Sequence, residues 1–288
     1  MTKVYFKNLK NEVIKELNKA EESIKIAMAW IDLSAYEKIL AEKSLKGIKI
    51  EILLDENDSN QKQKVLIDSL IIKKVSINFV KKHNTINTMH HKFCIIDDRV
   101  ILAGSFNWTN NAFYNFENLI VIENDEIISK MFLSEFYEIL LYSNYMDLVK
   151  KHSSITRLLY EEHDTSRGGT EENNIYIYEI DNKGEHSISL YDTTGTMLTS
   201  DDTDFGDIYK QEVEAESQEE LDQIKIYKEI CALDRMLDLQ SIALEYSRRN
   251  KKIIDGIIVK TIDDNCDTIY KTIWKNRFSK TIEDKYYF

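Results

Sequence analysis

A chain of 288 residues exceeds one average domain, and its 43% hydrophobic content can fill more than one core, so two domains of roughly 150 residues are expected. The 38 Lys and Arg against 50 Asp and Glu give a net charge of −12, which excludes a protein that coats nucleic acid with a globally basic surface. The excess is uneven: residues 1–150 hold 20 basic and 21 acidic side chains, residues 151–288 hold 18 and 29, so a local basic groove stays open in the first half.

In chain order, Leu9 to Ala20 reads as a helix and Ser23–Ile31 as a strand. Leu33–Lys46 is helical, closed by Gly47, and Ile48–Leu54 is a strand. A helix over Gln61–Ile72 and a strand at Val75–Val80 follow. Lys92–Ile96 and Val100–Ala103 read as strands joined by a tight turn at Asp97-Asp98-Arg99, followed by a strand at Leu119–Glu123 and an amphipathic helix from Asp125 to Tyr142. This alternation predicts an α/β sheet layered with helices. The polar, Gly-containing stretch 161–174 reads as a linker between a domain at 1–160 and another at 175–288. In the second, Ile175–Ile180 and His186–Tyr191 suggest a hairpin, and a long helix runs from about Ile208 to Asn250. The expected fold is α/β, a mixed sheet flanked by helices, followed by a smaller α+β domain with a long helix.

No run approaches the roughly 18 apolar residues of a membrane span, and the start lacks the apolar stretch of a signal peptide, so a cytoplasmic protein is expected. Cys94, Cys231 and Cys266 are far apart and without CxxC spacing, which predicts buried free thiols rather than zinc or disulfides.

Chemistry concentrates in the stretch from His90 to Asn107, which reads H-x-K-x4-D-x6-G-S-x-N, with Glu117-Asn118 ten residues further on. On a strand, residues i and i+2 share a face, so His90 and Lys92 project together while His91 points away; Ser105 and Asn107 pair by the same rule. If the turn at Asp97–Arg99 brings these faces together, an imidazole, an ammonium, a hydroxyl and an amide converge. A phosphodiester reaction uses such a set: a nucleophile or acid near neutral pKa, a cation for the nonbridging oxygens, and neutral donors that fix the phosphate. Gly104 lets the backbone approach a substrate closely.

The motif closely resembles that of the phospholipase D superfamily of phosphodiesterases. The resemblance implies that His90 attacks phosphorus to give a phosphohistidine, while a second motif histidine protonates the leaving oxygen. None of the other histidines is followed by lysine two residues on, so the chain holds one copy. The resemblance therefore implies a homodimer in which two copies of His90 face one another across a twofold axis and two of Lys92 clamp the phosphate. It also assigns Glu117 as the carboxylate that orients the imidazole. Asp97 is the motif aspartate, yet its offset from His90 and its place in the turn favour a structural role at least as much as phosphate contact. Trp108, just past the motif, is expected in the core. Neither metal nor cofactor is expected, since lysines supply the positive charge.

The superfamily includes nucleases, phospholipases and phospholipid synthases. Residues 59–92 hold seven lysines (Lys62, Lys64, Lys73, Lys74, Lys81, Lys82, Lys92) against Asp68, a basic approach that suits a polyanion. No basic amphipathic helix or exposed aromatic anchor is evident to favour lipid, and small single-motif members of the family are mostly endonucleases. The leading expectation is a metal-independent endonuclease on DNA or RNA with no membrane partner. A phospholipase or phosphatidyl transferase, and a non-catalytic nucleic-acid-binding effector module of a bacterial defence system, stay open as alternatives. The acidic second domain is expected either to bind nucleic acid or other proteins, through Arg248–Lys252 and the tail Lys271–Phe288, or to occupy the basic groove as an autoinhibitor.

Overall fold

The computed structural model describes residues 1–80, 88–149, 155–161, 174–180, 186–191, 197–198, 218–262 and 268–276. The chain divides into two compact units, Met1–Met146 and Asp147–Phe288. The first comprises β1 (Thr2–Tyr5), α1 (Leu9–Lys19), β2 (Ser23–Met28), α2 (Glu37–Leu45), β3 (Lys49–Asp55), α3 (Asp58–Gln61), α4 (Lys64–Ile72), β4 (Ser76–Val80), β5 (Lys92–Ile96), β6 (Val100–Gly104), β7 (Leu119–Glu123) and α5 (Glu126–Val149). Its seven strands form one mixed sheet in the order β1-β7-β6-β5-β2-β3-β4. The strands β2, β3 and β4 are parallel, as helical crossovers require, whereas β5, β6, β7 and β1 join antiparallel.

The central strands read as near-continuous apolar runs because both faces are covered. On one face Ile24, Ile26, Ile50, Ile52, Cys94 and Leu102 pack with Leu9, Val13 and Leu17 of α1, Leu40 of α2 and Ile67 and Leu70 of α4. On the other, Ala27, Leu53, Phe93, Ile95 and Ile101 are buried, and Phe93 meets Phe132 of α5 at 5.1 Å between ring centroids. Each such aliphatic side chain, fully buried, contributes about 1.5–3 kcal/mol.

Two expected helices are each broken, for local reasons. Asp32 accepts a hydrogen bond from the Ser34 N–H at 3.1 Å, which sets a short 3-10 turn at Leu33–Ala35 before α2 begins. Asn57 caps the Asn60 N–H at 3.0 Å, so α3 starts ahead of the expected Gln61 and ends before Gln63, whose side chain serves another segment. Gly47 follows α2 with φ 91°, the left-handed backbone that favours glycine. Among the described residues, no helix is long and apolar enough to cross a membrane.

The second unit holds β8 (Ile155–Glu161), β9 (Asn174–Ile180), β10 (His186–Tyr191), β11 (Met197–Leu198), α6 (Gln218–Asn250), β12 (Gly256–Ile262) and β13 (Thr268–Lys275). These strands form a six-stranded sheet in the order β11-β10-β9-β8-β12-β13, antiparallel throughout except for β8 beside β12. Because β8 pairs with β9 residue by residue from Ile155 to Glu161, the stretch 161–174 connects two strands of one sheet instead of separating two domains. Its interior, residues 162–173, lies outside the described residues, as do the expected helical residues 208–217 and the tail 277–288. Lys271–Lys275, expected to belong to a nucleic-acid-binding tail, form the end of β13.

Candidate active site

The chain enters β5 through Met89, His90 and His91 at the end of the sheet where β2 and β3 finish. In α/β sheets, ligands gather beyond such carboxyl ends. Backbone pairing continues past the strand, with the Ala29 N–H donating to the His91 carbonyl at 2.8 Å. His91 turns to the α5 side, where its Nε2 lies 2.8 Å from the Glu135 carboxylate. His90 and Lys92 share the opposite side, as strand alternation predicts.

A buried polar scaffold holds this end in place. Asp55, at the end of β3, accepts the Met89 N–H at 2.7 Å and an Asn57 amide N–H at 3.0 Å. The Asn60 amide, wholly buried, donates to the Ala29 and Asp55 carbonyls at 2.8 and 2.9 Å and accepts from the Ile31 N–H at 3.3 Å. Gln63 donates to the Ile31 carbonyl and accepts from the Leu33 N–H, both at 2.7 Å. Buried polar groups fully satisfied in this way fix a loop more firmly than apolar packing alone.

His90 is exposed and Lys92 half-buried. The Lys92 ammonium donates to the His90 carbonyl at 2.9 Å and lies 3.3 Å from each of the ring nitrogens. Burial first, and then the charge of Lys92, holds the His90 imidazole below its ordinary pKa, against an opposing pull from Asp55. Burial also lowers Lys92, which the Glu117 carboxylate partly counters. A neutral, accessible imidazole beside an ammonium is suited to attack an electrophile whose oxygens carry negative charge.

Ser105 and Asn107 lie just beyond the end of β6. The Ser105 hydroxyl donates to the Glu117 carboxylate and accepts the Asn118 N–H at 3.1 Å, tying the two ends of the 105–118 loop. Glu117 also accepts from the Asn115 amide at 3.3 Å, so in the single chain its hydrogen bonds go to Ser105 and Asn115. Asn107 has a buried amide oxygen with no hydrogen-bond partner, a polar atom poised at the motif without a protein ligand. Gly104 makes room for its own chain. A Cβ there would stand 2.3 Å from the Asn118 carbonyl oxygen, so its small size admits the neighbouring backbone. Trp108 is buried against Tyr36 at 5.0 Å between centroids, as expected of a core residue.

Asp97 stands at the other end of β5. Its carboxylate accepts the backbone N–H groups of Glu21, Glu22 and Ser23 at 2.8–3.1 Å, anchoring the start of β2. Asp97 and Asp98 both adopt left-handed backbone, with φ 51° and 53°, as the turn requires. The structure therefore gathers His90 and Lys92, places Ser105, Asn107 and Glu117 on the loop after β6, and leaves Asp97 out.

Two residues of the site escape the motif. Trp30, just past β2, meets the His90 ring edge-on at 5.2 Å and carries the Lys92 ammonium 5.6 Å from its centroid. Asp55 lies beneath Met89; a carboxylate closing a parallel strand is the one clue its sequence position offers. Of the lysines in the basic approach, Lys74 is exposed and Lys92 belongs to the site. Lys73, at the far end of α4, pairs with Glu37 at 2.7 Å, Lys81 and Lys82 lie outside the described residues, and Lys62 and Lys64 are exposed. Conversely, Tyr114 and Phe116, on the loop leading into Glu117, stand exposed where no aromatic anchor was evident from sequence. Nothing in the spacing of such a short loop separates an outward aromatic from a core one.

Residues 13–140 match the family model described as cardiolipin synthase, PLD-like domain. The mitochondrial cardiolipin hydrolase of Chlamydomonas reinhardtii is 33% identical over 114 residues, 39% of this chain and 49% of that protein. The phospholipase D of Rickettsia prowazekii (strain Madrid E) is 32% identical over 127 residues, 43% of this chain and 59% of that protein. Among solved structures, the phospholipase D family member Nuc from Salmonella typhimurium matches with a TM-score of 0.43 and 21% identity, covering 47% of this chain and 91% of that one. The chain thus spans about half the length of the curated relatives it matches.

Proposed function

We propose that this protein hydrolyses a phosphodiester through a phosphohistidine. The observation that carries the reading is the exposed His90 imidazole, held below its ordinary pKa beside the Lys92 ammonium. A neutral ring nitrogen of His90 attacks phosphorus; the new P–N bond forms as the bond to the leaving oxygen breaks, and Lys92 bears the negative charge of the nonbridging oxygens. The leaving oxygen needs a proton. With one motif in the chain, we assign that proton to His90 of a second copy, in a site shared by a homodimer. The same histidine then takes a proton from the water that cleaves the P–N bond. The reaction requires no metal in this scheme.

For the substrate, we favour a phospholipid ester over nucleic acid, reversing the expectation drawn from sequence. Relatives named for cardiolipin and phospholipid hydrolysis support this, as do the exposed aromatics Tyr114 and Phe116 beside Glu117, which suit contact with an apolar surface. Nucleic acid is the second reading, favoured by the exposed Lys62 and Lys64.

Vesicles of cardiolipin or phosphatidylglycerol, and separately plasmid and single-stranded DNA and RNA, should be incubated with the protein in EDTA. The expected outcome is release of phosphatidic acid that vanishes in His90→Ala. Cleavage of nucleic acid alone would move the substrate to the second reading. Turnover of neither, or turnover that survives His90→Ala, would overturn the proposal.

A further inference from the structure

We propose that Trp30 is a positioning residue of this site, whose indole sets the orientation of the His90 imidazole and holds the Lys92 ammonium on the same side. The proposal rests on the reading that His90 and Lys92 act on a phosphodiester, but the contacts it concerns exist in the free protein. No motif position supplies this residue; the fold brings it to the site.

The backbone on either side of Trp30 is tied down by hydrogen bonds. Ala29 donates to the His91 carbonyl, and its own carbonyl accepts from both Asn57 and Asn60 at 2.9 and 2.8 Å. Ile31 is fixed through its N–H by Asn60 and its carbonyl by Gln63, and it bridges to Trp108. Between these anchors the half-buried indole extends toward the side chains of His90 and Lys92. His90 is exposed, and an exposed imidazole samples several rotamers. The interplanar angle of 80° at 5.2 Å is the edge-on geometry that aromatic rings prefer, and it selects one ring orientation. The flexible stem of Lys92 likewise gains one favoured position, since 5.6 Å from an indole centroid lies within the range of a cation–π contact.

A nucleophile and its anion clamp must both be preset, because misplacement of about 1 Å can cost 10²-fold in rate. Trp30 presets both from one rigid platform. Its ring also covers one edge of His90, whose pKa burial lowers. The charged and titratable groups acting on His90 are Lys92, Asp55 and His91, with Glu117 acting on Lys92. Removing the indole opens the ring to water and lets Lys92 move away, and both changes raise the proton affinity of His90.

The test uses the full chain. The His90 ring is titrated by NMR in the wild type and in Trp30→Ala, Trp30→Phe and Trp30→Leu, with folding checked by circular dichroism. Hydrolysis of bis(p-nitrophenyl) phosphate is followed against pH in the same proteins and in His90→Ala. In Trp30→Ala the His90 midpoint should move upward and kcat should fall by about ten- to a hundredfold, with KM little changed. Trp30→Phe, which keeps an aromatic edge and face, should restore most of kcat, and Trp30→Leu should not. Should Trp30→Ala fail to fold, the contrast between Phe and Leu decides. A folded Trp30→Ala or Trp30→Leu with the wild-type His90 midpoint and pH profile would overturn the proposal and leave the hydrolase reading intact. Turnover retained in His90→Ala would instead defeat the hydrolase reading, while the NMR midpoints still decide whether Trp30 sets His90.

Discussion

At His90, two neighbours pull in opposite directions. Burial and the Lys92 charge favour the neutral ring, while Asp55 favours the protonated one, and the first pair prevails. In the proposed scheme one ring attacks neutral while its counterpart in the second copy carries a proton, so kcat/KM passes through a maximum whose acid limb follows this lowered pKa. The acid limb of kcat/KM should therefore lie below about pH 6.5, the ordinary histidine value. Lys92→Gln removes the second of the two causes, so it should move that limb upward, and it should also cut kcat by about 10²–10³-fold through loss of the anion clamp. A pH–rate series on both proteins separates the effects. A limb that stays in place while kcat falls would mean that Lys92 does not set the protonation of His90.

At the scale of elements, the hairpin of β5 and β6 works at both ends. One end carries His90 and Lys92, and the other carries Asp97, whose carboxylate gathers three backbone N–H groups at the start of β2. Burial alone would raise the Asp97 pKa, but these hydrogen bonds and Arg99 outweigh it, and the carboxyl is held below its ordinary value. A depressed carboxyl stabilises the fold above its unfolded pKa and loses that contribution as pH falls through the folded value. Asp97→Ala should thus cost about 1–3 kcal/mol at pH 7, with the gap to wild type narrowing below about pH 4 and kcat unchanged where both are folded. Urea unfolding at pH 7 and pH 3 measures it. From α1 onward the order of elements in the first unit was legible because apolar periodicity and Gly47 report local geometry directly, whereas β1, a four-residue edge strand, is too short to show a period. The face shared by His90 and Lys92 was legible for the same reason. Asp97 stayed open between structure and phosphate contact because a motif records only spacing along the chain, while the strand carries it to the far end of the sheet. Trp30 and Asp55 were invisible because they close β2 and β3, and only the sheet order brings those ends beside β5.

For the whole molecule, the proposed site shared by two copies of His90 makes a prediction about mixtures. If wild type and His90→Ala reassort freely at equal amounts, only about a quarter of dimers keep both histidines. Activity should then fall to about a quarter of an equal concentration of wild type, whereas a site complete within one chain would keep half; titrating the variant into wild type under subunit exchange distinguishes them. The pairing of β8 with β9 and β12 bears on another matter, the ways in which such a chain can be rearranged. Each sheet draws its strands from its own stretch of sequence, and none is exchanged across residues 150–154. A gene fusion joined there would take away no strand of the first sheet and none of the second. A fusion at Gly168-Gly169, where composition suggests the seam, would carry off five strands of the second sheet and leave β8 attached to the wrong partner, its edges unpaired and prone to aggregation.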